Sequence, residues 1–288
     1  MAESIGKELR MAEWFHAGHG GAVLVDMSVS GAEGAVSGLE DPAGAVGEVG
    51  PTATGLILNP GMMERLASQR QLPGKRGAAP LVRVDWTNAL RPEGFLAPPR
   101  HVRRVMISSA EDALDLGADA IVTYILLGFD EDFEAENIQS FAFLARECSR
   151  LGLPLVADIH AAGPKVGKAN FADAVKLGAA QAVEGGADAF IMPYPGEDAL
   201  AMIRRFSPVP VFLRVDGTKG ADGESGLPDE VSGADWGFYF EKADGIVFAG
   251  REFWASAKRA AVLAAAREAA MRGAAMREAA AREAGGSR

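Results

Sequence analysis

The chain has 288 residues, of which 48% are hydrophobic, and its formal net charge at pH 7 is −10. This length fits one large α/β domain with a sizeable buried core, and the negative charge argues against nucleic acid or an anionic membrane as the main partner. The single cysteine, Cys148, excludes an internal disulfide and indicates a reducing compartment. The N-terminus lacks an apolar signal core, so we expect a cytoplasmic protein.

In chain order, a short leading helix over residues 1–15 is followed by apolar runs that alternate with helix-like segments. Ser109 with Asp112 three residues later is a helix-start signal, and Gly117 and Gly152 are typical helix ends. The apolar runs have the length and bounding residues of buried strands. They cover 21–28, 55–61, 80–86, 118–128, 153–163, 187–196, 209–217 and 244–250, and the helix-like segments include 108–117, 136–152, 169–186 and 196–206.

Apolar strands separated by helices predict a parallel sheet that is covered on both faces. Eight such units predict an α/β fold of the (β/α)8 TIM-barrel type, with the barrel domain over residues 1–270. Residues 255–284 are rich in Ala, Arg and Glu, which favours a helical extension. We expect residues 271–288 to form a helical, partly disordered tail that is either solvated or an oligomer contact.

Ionisable residues occur at strand ends, where a barrel interior should be apolar. The third, fifth and seventh runs each carry two such residues, spaced two positions apart. Alternate strand residues point inward, odd-numbered strands fill the same layers, and the carboxyl ends carry the active site. We therefore expect part of this set to converge at the mouth of the barrel: Asp26, Arg83, Asp85, Asp158, His160, Arg214 and Asp216.

Two interpretations of this set stand side by side. Arg83 and Arg214 could pair with Asp85, Asp158 or Asp216 as a buried ion network. Buried ion pairs bring little net stability for a large desolvation cost, so a ligand-binding role for part of the set explains it better.

A pattern typical of phosphate-binding loops lies at the ends of the last two predicted strands, with VDGTKG at 215–220 and FAGREF at 248–253. Barrels often bind phosphate through backbone N–H groups of these two loops. Gly217 and Gly250 permit close backbone approach, and Lys219 and Arg251 add charge. Ordinary strand-to-helix turns are the alternative.

Several segments together resemble a known family. They include GLEDP (38–42), NPGMMERLA (59–67), LGLPLVADIHAAG (151–163), GGADAFIMPYPGE (185–197) and ADGIVFAGRE (243–252). The chain is similar to the archaeal-type class I fructose-bisphosphate aldolases and their DeoC/LacD-like relatives, from about Trp14 to Ala264. The resemblance implies the same (β/α)8 barrel.

The resemblance also implies a mechanism that this chain departs from. The family carries on its sixth strand a lysine that forms a Schiff base with a ketose phosphate. Aligned through Asp188, Tyr194 and Gly196, that lysine falls on Ile191, and a slip of one residue gives Phe190 or Met192.

Two further family positions differ as well. A general acid/base tyrosine of the family is replaced by His160, and the histidine after Asp26 is replaced by Met27. Lys165 and Lys219 remain as loop lysines, and we expect both to contact substrate charge or solvent.

The leading hypothesis is a diverged aldolase-family lyase that acts on a small phosphorylated or carboxylated carbonyl compound by acid–base chemistry without an imine. The reaction would be aldol-type cleavage, dehydration or enolisation. An imidazole suits the proton transfer, because it titrates near neutral pH. We assign catalysis to His160, Asp26, Asp158 and Arg214; substrate contacts to Arg83, Asp85, Asp216, Tyr194 and Tyr124; and phosphate contacts to Gly217, Lys219, Gly250 and Arg251.

Two alternatives remain. A divalent metal held by the carboxylates could replace the imine as electron sink, although no spaced metal motif supports it and we predict no cofactor. The chain could also be a non-catalytic binding protein on an aldolase scaffold. The expected partners are a small anionic substrate and further copies of the chain in a homo-oligomer, with neither nucleic acid nor membrane.

Overall fold

A computed structural model describes residues 4–15, 21–69, 77–91, 101–215 and 236–285, without the side chains of Glu33 and residues 274–285. Its strands are β1 (Ala22–Asp26), β2 (Gly55–Leu58), β3 (Ala79–Arg83), β4 (Asp85–Thr87), β5 (Arg104–Met106), β6 (Ala120–Leu127), β7 (Leu155–Ala161), β8 (Ala189–Met192), β9 (Val211–Val215) and β10 (Gly245–Phe248). Its helices are α1 (Ile5–Phe15), α2 (Ser30–Glu33), α3 (Pro42–Val49), α4 (Pro60–Ser68), α5 (Ala110–Asp115), α6 (Glu131–Leu151), α7 (Phe171–Gly185), α8 (Glu197–Phe206), α9 (Trp236–Lys242), α10 (Gly250–Ala255) and α11 (Arg259–Gly285).

Eight parallel strands close into a barrel in the order β1-β10-β9-β8-β7-β6-β3-β2. Each of the eight predicted apolar runs overlaps one of these strands, and the predicted (β/α)8 fold is confirmed. The strands are buried on both faces, because helices cover their outer sides and side chains fill the interior. The barrel thus has an outer apolar layer beneath the helices and a separate inner cluster.

The inner cluster is closed at the amino end of the strands by α1. Trp14 is fully buried in it, and Met11 and Phe15 pack against it. The Lys7 ammonium fixes the helix by donating to both oxygens of Asp188, at 2.9 and 2.7 Å. The predicted leading helix therefore plugs the barrel at the end opposite the carboxyl ends of the strands.

Helix termini follow the sequence signals. Ser109 and Asp112 form a reciprocal capping box at the start of α5, as predicted. Gly152 ends α6 with a φ of 65°, a left-handed conformation that favours glycine. The start of α6 was predicted too late, because the Asp130 side chain accepts a hydrogen bond from Phe133 N and begins the helix at Glu131.

The region after β3 differs from the prediction that Arg83 and Asp85 share one strand. β3 ends at Arg83, and β4 then pairs antiparallel with β5 in a two-stranded hairpin outside the barrel. The chain turns at Val84, whose carbonyl accepts hydrogen bonds from Ile107 N and Ser108 N. Asp85 therefore belongs to the hairpin and not to the barrel wall.

α11 is one continuous helix. Its buried side chains, from Val262 to Ala270, pack on the outer layer, and Met271 is exposed. The predicted domain boundary after residue 270 stays a prediction, and the final residues 286–288 lie outside the described residues. Within the described parts of the chain, no helix combines the length and the apolar character needed to cross a membrane.

Candidate active site

Asp158, an inward residue of β7, joins the two arginines of the barrel interior. Its Oδ2 accepts a hydrogen bond from Arg83 Nη2 at 2.8 Å, and its Oδ1 accepts one from Arg214 Nη2. Arg214 also donates to the carbonyl of Ile159 at 3.1 Å. All three charged side chains are almost completely buried, so their charges are desolvated as well as paired.

Arg83 extends this network from β3 to β1. Its Nη2 donates to Asp26 Oδ2 at 2.9 Å, and its Nε donates to Ser28 Oγ at 2.6 Å. The Ser28 hydroxyl donates in turn to Asp26 Oδ1 at 2.6 Å. Burial lowers the pKa of Arg83, but the neighbouring Tyr124, Asp26 and Asp85 side chains raise it by more, and the net shift is upward. Arg83 is therefore a permanent cation, and its Nη1 has no hydrogen-bond partner among the described residues.

A buried ion network is thus present, as one of the two interpretations held. Asp158 is a partner of both arginines as that interpretation expected, but the second carboxylate is Asp26, because Asp85 pairs with Arg104 instead. Two arginines and two aspartates balance each other in charge, which leaves no net positive charge at this centre. The network also brings together the side chains of β1, β3, β7 and β9, as the inward parity of the odd-numbered predicted strands implied.

His160 and Tyr124 line the same centre. His160 Nε2 lies 3.3 Å from Asp158 Oδ2, and the imidazole meets the Tyr124 ring edge-on with the centroids 5.4 Å apart. The Arg83 guanidinium carbon lies 4.1 Å from the centroid of Tyr124. Burial raises the pKa of Tyr124 to about 12, against a smaller opposing effect of Arg83, so the phenol is neutral at physiological pH. His160, partly exposed, is the member of this group that can meet both the network and a ligand.

Asp85 has a different role from the one expected of an inward strand residue. Its Oδ2 accepts hydrogen bonds from Arg104 Nε at 2.6 Å, Thr123 Oγ1 at 2.9 Å and Tyr124 N at 2.9 Å. The side chain is fully buried, and these contacts hold the β4–β5 hairpin against β6. The predicted substrate contact of Asp85 would require the hairpin to move.

Ser28 and Arg104 contact the site, but neither was predicted from the sequence as a site residue. Ser28 lies two positions after Asp26, and residues two apart on a strand share a face, so the sequence could have indicated that Ser28 lies beside Asp26. Arg104 lies in the hairpin, about 20 residues beyond Asp85, and carried no signal.

The remaining predicted site residues are dispersed. Tyr194 packs against the outer layer, with its ring 6.0 Å from that of Phe238 on α9. Gly250 begins α10 with a φ of 81°, and Arg251 beside it is exposed. Asp216, Gly217 and Lys219 lie outside the described residues. The phosphate site assigned to the two loops therefore stays a prediction.

Ile191 on β8 is a member of the inner cluster and pairs in register with Asp158 of β7. Its neighbours Phe190 and Met192 point to the outer layer instead. Of the family-aligned candidates, Ile191 is thus the inward one, and it lies beside the ion network.

The lysines in the described parts of the chain lie away from the interior. None of them is buried. Lys165 binds Glu131 Oε1 at 2.5 Å, and this hydrogen bond raises the pKa of the Lys165 ammonium. A raised pKa keeps the amine protonated and disfavours nucleophilic attack.

The described residues contain no group of three or more His, Cys, Asp or Glu side chains arranged to hold a metal ion. Asp26 and Asp158, two of the carboxylates proposed as metal ligands, are bound by Arg83. The donor set therefore fits an ion network better than a metal centre.

The family model of the DeoC/LacD family aldolases matches residues 21–215. The chain belongs to the DeoC/LacD aldolase family. An uncharacterized aldolase of Saccharolobus solfataricus is 28% identical over 223 residues, which is 73% of this chain and 76% of that protein. The 2-amino-3,7-dideoxy-D-threo-hept-6-ulosonate synthase of Halobacterium salinarum is 32% identical over 169 residues, 57% of this chain and 56% of the synthase.

One further sequence relative, the 2-amino-4,5-dihydroxy-6-oxo-7-(phosphonooxy)heptanoate synthase of Streptomyces griseus, is 34% identical over 120 residues, 41% of this chain and 43% of that enzyme. Among solved structures, an archaeal fructose 1,6-bisphosphate aldolase has a TM-score of 0.70 at 20% identity, covering 92% of this chain and 99% of the aldolase. Since that identity is low, this likeness shows the fold: the barrel is the one that the aldolase family uses.

Proposed function

We propose that this protein is an aldolase-type lyase that acts on a small phosphorylated or carboxylated carbonyl compound without a lysine imine. The observation that carries the proposal is the inward position of Ile191 beside a cluster of Asp158, His160 and two arginines. An isoleucine cannot form an imine, whereas the neighbouring cluster contains groups that move protons and stabilise negative charge.

In this proposal His160 takes the proton from the hydroxyl of the substrate while the adjacent carbon–carbon bond breaks. The electron pair of that bond stays with the carbon next to the carbonyl and forms a carbon–carbon double bond, so the negative charge passes to the carbonyl oxygen. The resulting enediolate oxygen is stabilised by Arg214. Asp158 Oδ2, 3.3 Å from His160 Nε2, balances the charge of the imidazolium form. His160 then returns the proton to the enediolate carbon, which completes the cleavage. In an enolisation, His160 would instead take a proton from the carbon beside the carbonyl, and in a dehydration it would then give that proton to the departing hydroxyl, which leaves as water.

Charge at the mouth limits this mechanism. Because Asp26 and Asp158 neutralise Arg83 and Arg214, the cluster attracts an anionic substrate weakly. An anionic end of the substrate must therefore bind elsewhere, and we assign it to Gly217, Lys219, Gly250 and Arg251. The phosphonooxy group in the product name of the Streptomyces griseus relative supports a phosphorylated substrate.

A non-catalytic ligand-binding protein is the second candidate. The observation that favours it is the closed ion network, in which the protein itself satisfies most of the charged groups that would serve catalysis. This candidate would be supported if the unaltered protein and its variants bound a sugar phosphate but none of them turned it over.

The proposal is tested by incubating the protein with fructose 1,6-bisphosphate or dihydroxyacetone phosphate, with and without borohydride. A lysine-imine aldolase treated in parallel is the positive control. We expect turnover that borohydride does not abolish and no covalent adduct, and we expect His160→Ala and Arg214→Ala each to remove turnover. An adduct that maps to Lys219 or Lys165 contradicts the imine-free mechanism, and unchanged turnover in both variants contradicts the roles of these side chains.

A further inference from the structure

The exposed face of α8 carries a stripe of residues at helical spacing. Asp198, Ala201, Met202 and Arg205 occupy positions i, i+3, i+4 and i+7, and all four are exposed. The opposite face of the helix buries Ala199, Leu200 and Ile203 against the barrel. The stripe therefore begins with an acid, ends with a base and has a small residue and an apolar residue between them.

A groove of about 850 Å³ runs along this stripe between α7 and α8. Met202 lines the groove and is 47% exposed, and Leu177 and Phe206, outside the groove lining on the same two helices, are 50% and 40% exposed. Exposed apolar residues that cluster beside polar ones are typical of protein contact surfaces.

The charges around the groove differ in whether they are paired. Lys176 binds Asp173 at 2.7 Å, and Arg204 binds Asp244. Asp198 and Arg205 form no ion pair within the described parts of the chain. The stripe thus presents one unpaired charge of each sign, seven residues apart.

We propose that this face binds the same face of a second copy of the chain, with the two α8 helices antiparallel about a two-fold axis. The midpoint between positions 198 and 205 falls between Ala201 and Met202, so an axis there brings each Asp198 opposite the second copy's Arg205. Two equal ion pairs then form, as a two-fold contact requires. Ala201 allows the helix axes to approach closely, and Met202 packs at the centre.

The chemistry of the stripe favours a second copy over an unrelated partner, because its charge pattern is complementary to itself when it is reversed. A helix of 10 residues is too short to bury a full dimer interface, so Leu177 of α7 and Phe206 must extend the contact. We therefore expect association that depends on protein concentration. The contact does not use the barrel mouth, so it is independent of the proposed activity.

Charge reversal tests the proposal directly. Sedimentation velocity over a range of concentrations should show self-association of the unaltered protein, and Asp198→Arg or Arg205→Asp should each weaken it about tenfold or more, because each places like charges opposite one another. Mixing the two single variants should restore association, since one then carries two arginines and the other two aspartates at these positions. The double variant Asp198→Arg/Arg205→Asp should also associate.

Glu147→Arg, on the exposed side of α6, is the matched control and should leave association unchanged. A monomeric unaltered protein overturns the proposal. So does an oligomer that both single reversals leave intact, or one that the mixture and the double variant fail to restore. Circular dichroism of each variant, together with the rescue by mixing, separates loss of contact from loss of fold.

Discussion

His160 and Asp158 lie two residues apart on β7, and His160 Nε2 is 3.3 Å from the Asp158 oxygen that also accepts from Arg83. Protonation of the imidazole would place a third positive charge beside this single carboxylate. Through this one carboxylate the imidazole lies next to both arginine partners of Asp158, although the histidine itself is partly exposed. In the proposed reaction, a proton that passes from the substrate to His160 would thus add positive charge directly beside Asp158.

Removing the charge of Asp158 should destabilise the fold. In Asp158→Asn the buried guanidinium groups of Arg83 and Arg214 lose their shared carboxylate, and we expect the free energy of unfolding to fall by about 3–5 kcal/mol. Urea unfolding measures this change. Asp115→Asn at the exposed end of α5 is the control, with an expected change within about 0.5 kcal/mol. An equally small effect of Asp158→Asn would mean that the network contributes nothing to stability.

Tyr124 should make the fold sensitive to alkaline pH. Its pKa is about 12 in the folded chain against 10.0 for a free phenol, so between these values the unfolded chain releases a proton that the folded chain keeps. The stabilisation is present below pH 10 and is lost as the pH rises toward 12. Urea midpoints measured from pH 9 to 12 should therefore fall less steeply for Tyr124→Phe than for the unaltered protein. Parallel curves would contradict the burial of the phenol.

Asp85 and Arg104 should be energetically coupled. Their buried ion pair fixes the β4–β5 hairpin, so Asp85→Ala and Arg104→Ala should each be destabilising and the double variant should cost less than their sum. We expect a coupling free energy of about 1–3 kcal/mol in a double-mutant cycle of urea unfolding. Additive effects would indicate that the pair does not hold the hairpin, and would favour the substrate role expected for Asp85.

Ile191 should behave as a packed wall of the barrel interior. Ile191→Val removes one methylene group and should cost about 0.5–1.5 kcal/mol of unfolding free energy, whereas Ile191→Ala should cost about 2–5 kcal/mol because it leaves a cavity. Thermal or urea unfolding distinguishes the two values. Near-equal small losses would show that the space beside Asp158 is loosely filled and able to admit a ligand.

Periodicity and residue type were sufficient to predict the barrel from sequence, because every barrel strand is a buried apolar run bounded by turn residues. Parity along the strands also predicted that Asp158, His160 and Arg214 share one side. The hydrogen-bond partners of these residues could not be predicted in the same way. Which oxygen of Asp158 accepts from which arginine depends on how the side chains pack across the barrel. The hairpin at Asp85 escaped prediction because its second strand, Arg104–Met106, is only three residues long and is separated from Asp85 by 19 positions.

The β4–β5 hairpin connects two separate parts of the barrel. Asp85 accepts from the backbone of Tyr124 on β6, and Trp86 Nε1 donates to the carbonyl of Gly31 on α2, beyond β1. In the barrel, β3 and β2 lie between β6 and β1, so the hairpin bridges strands that are not neighbours. A displacement of the hairpin would therefore disturb Tyr124 and the segment after Ser28 together, although these residues are almost 100 positions apart in the chain.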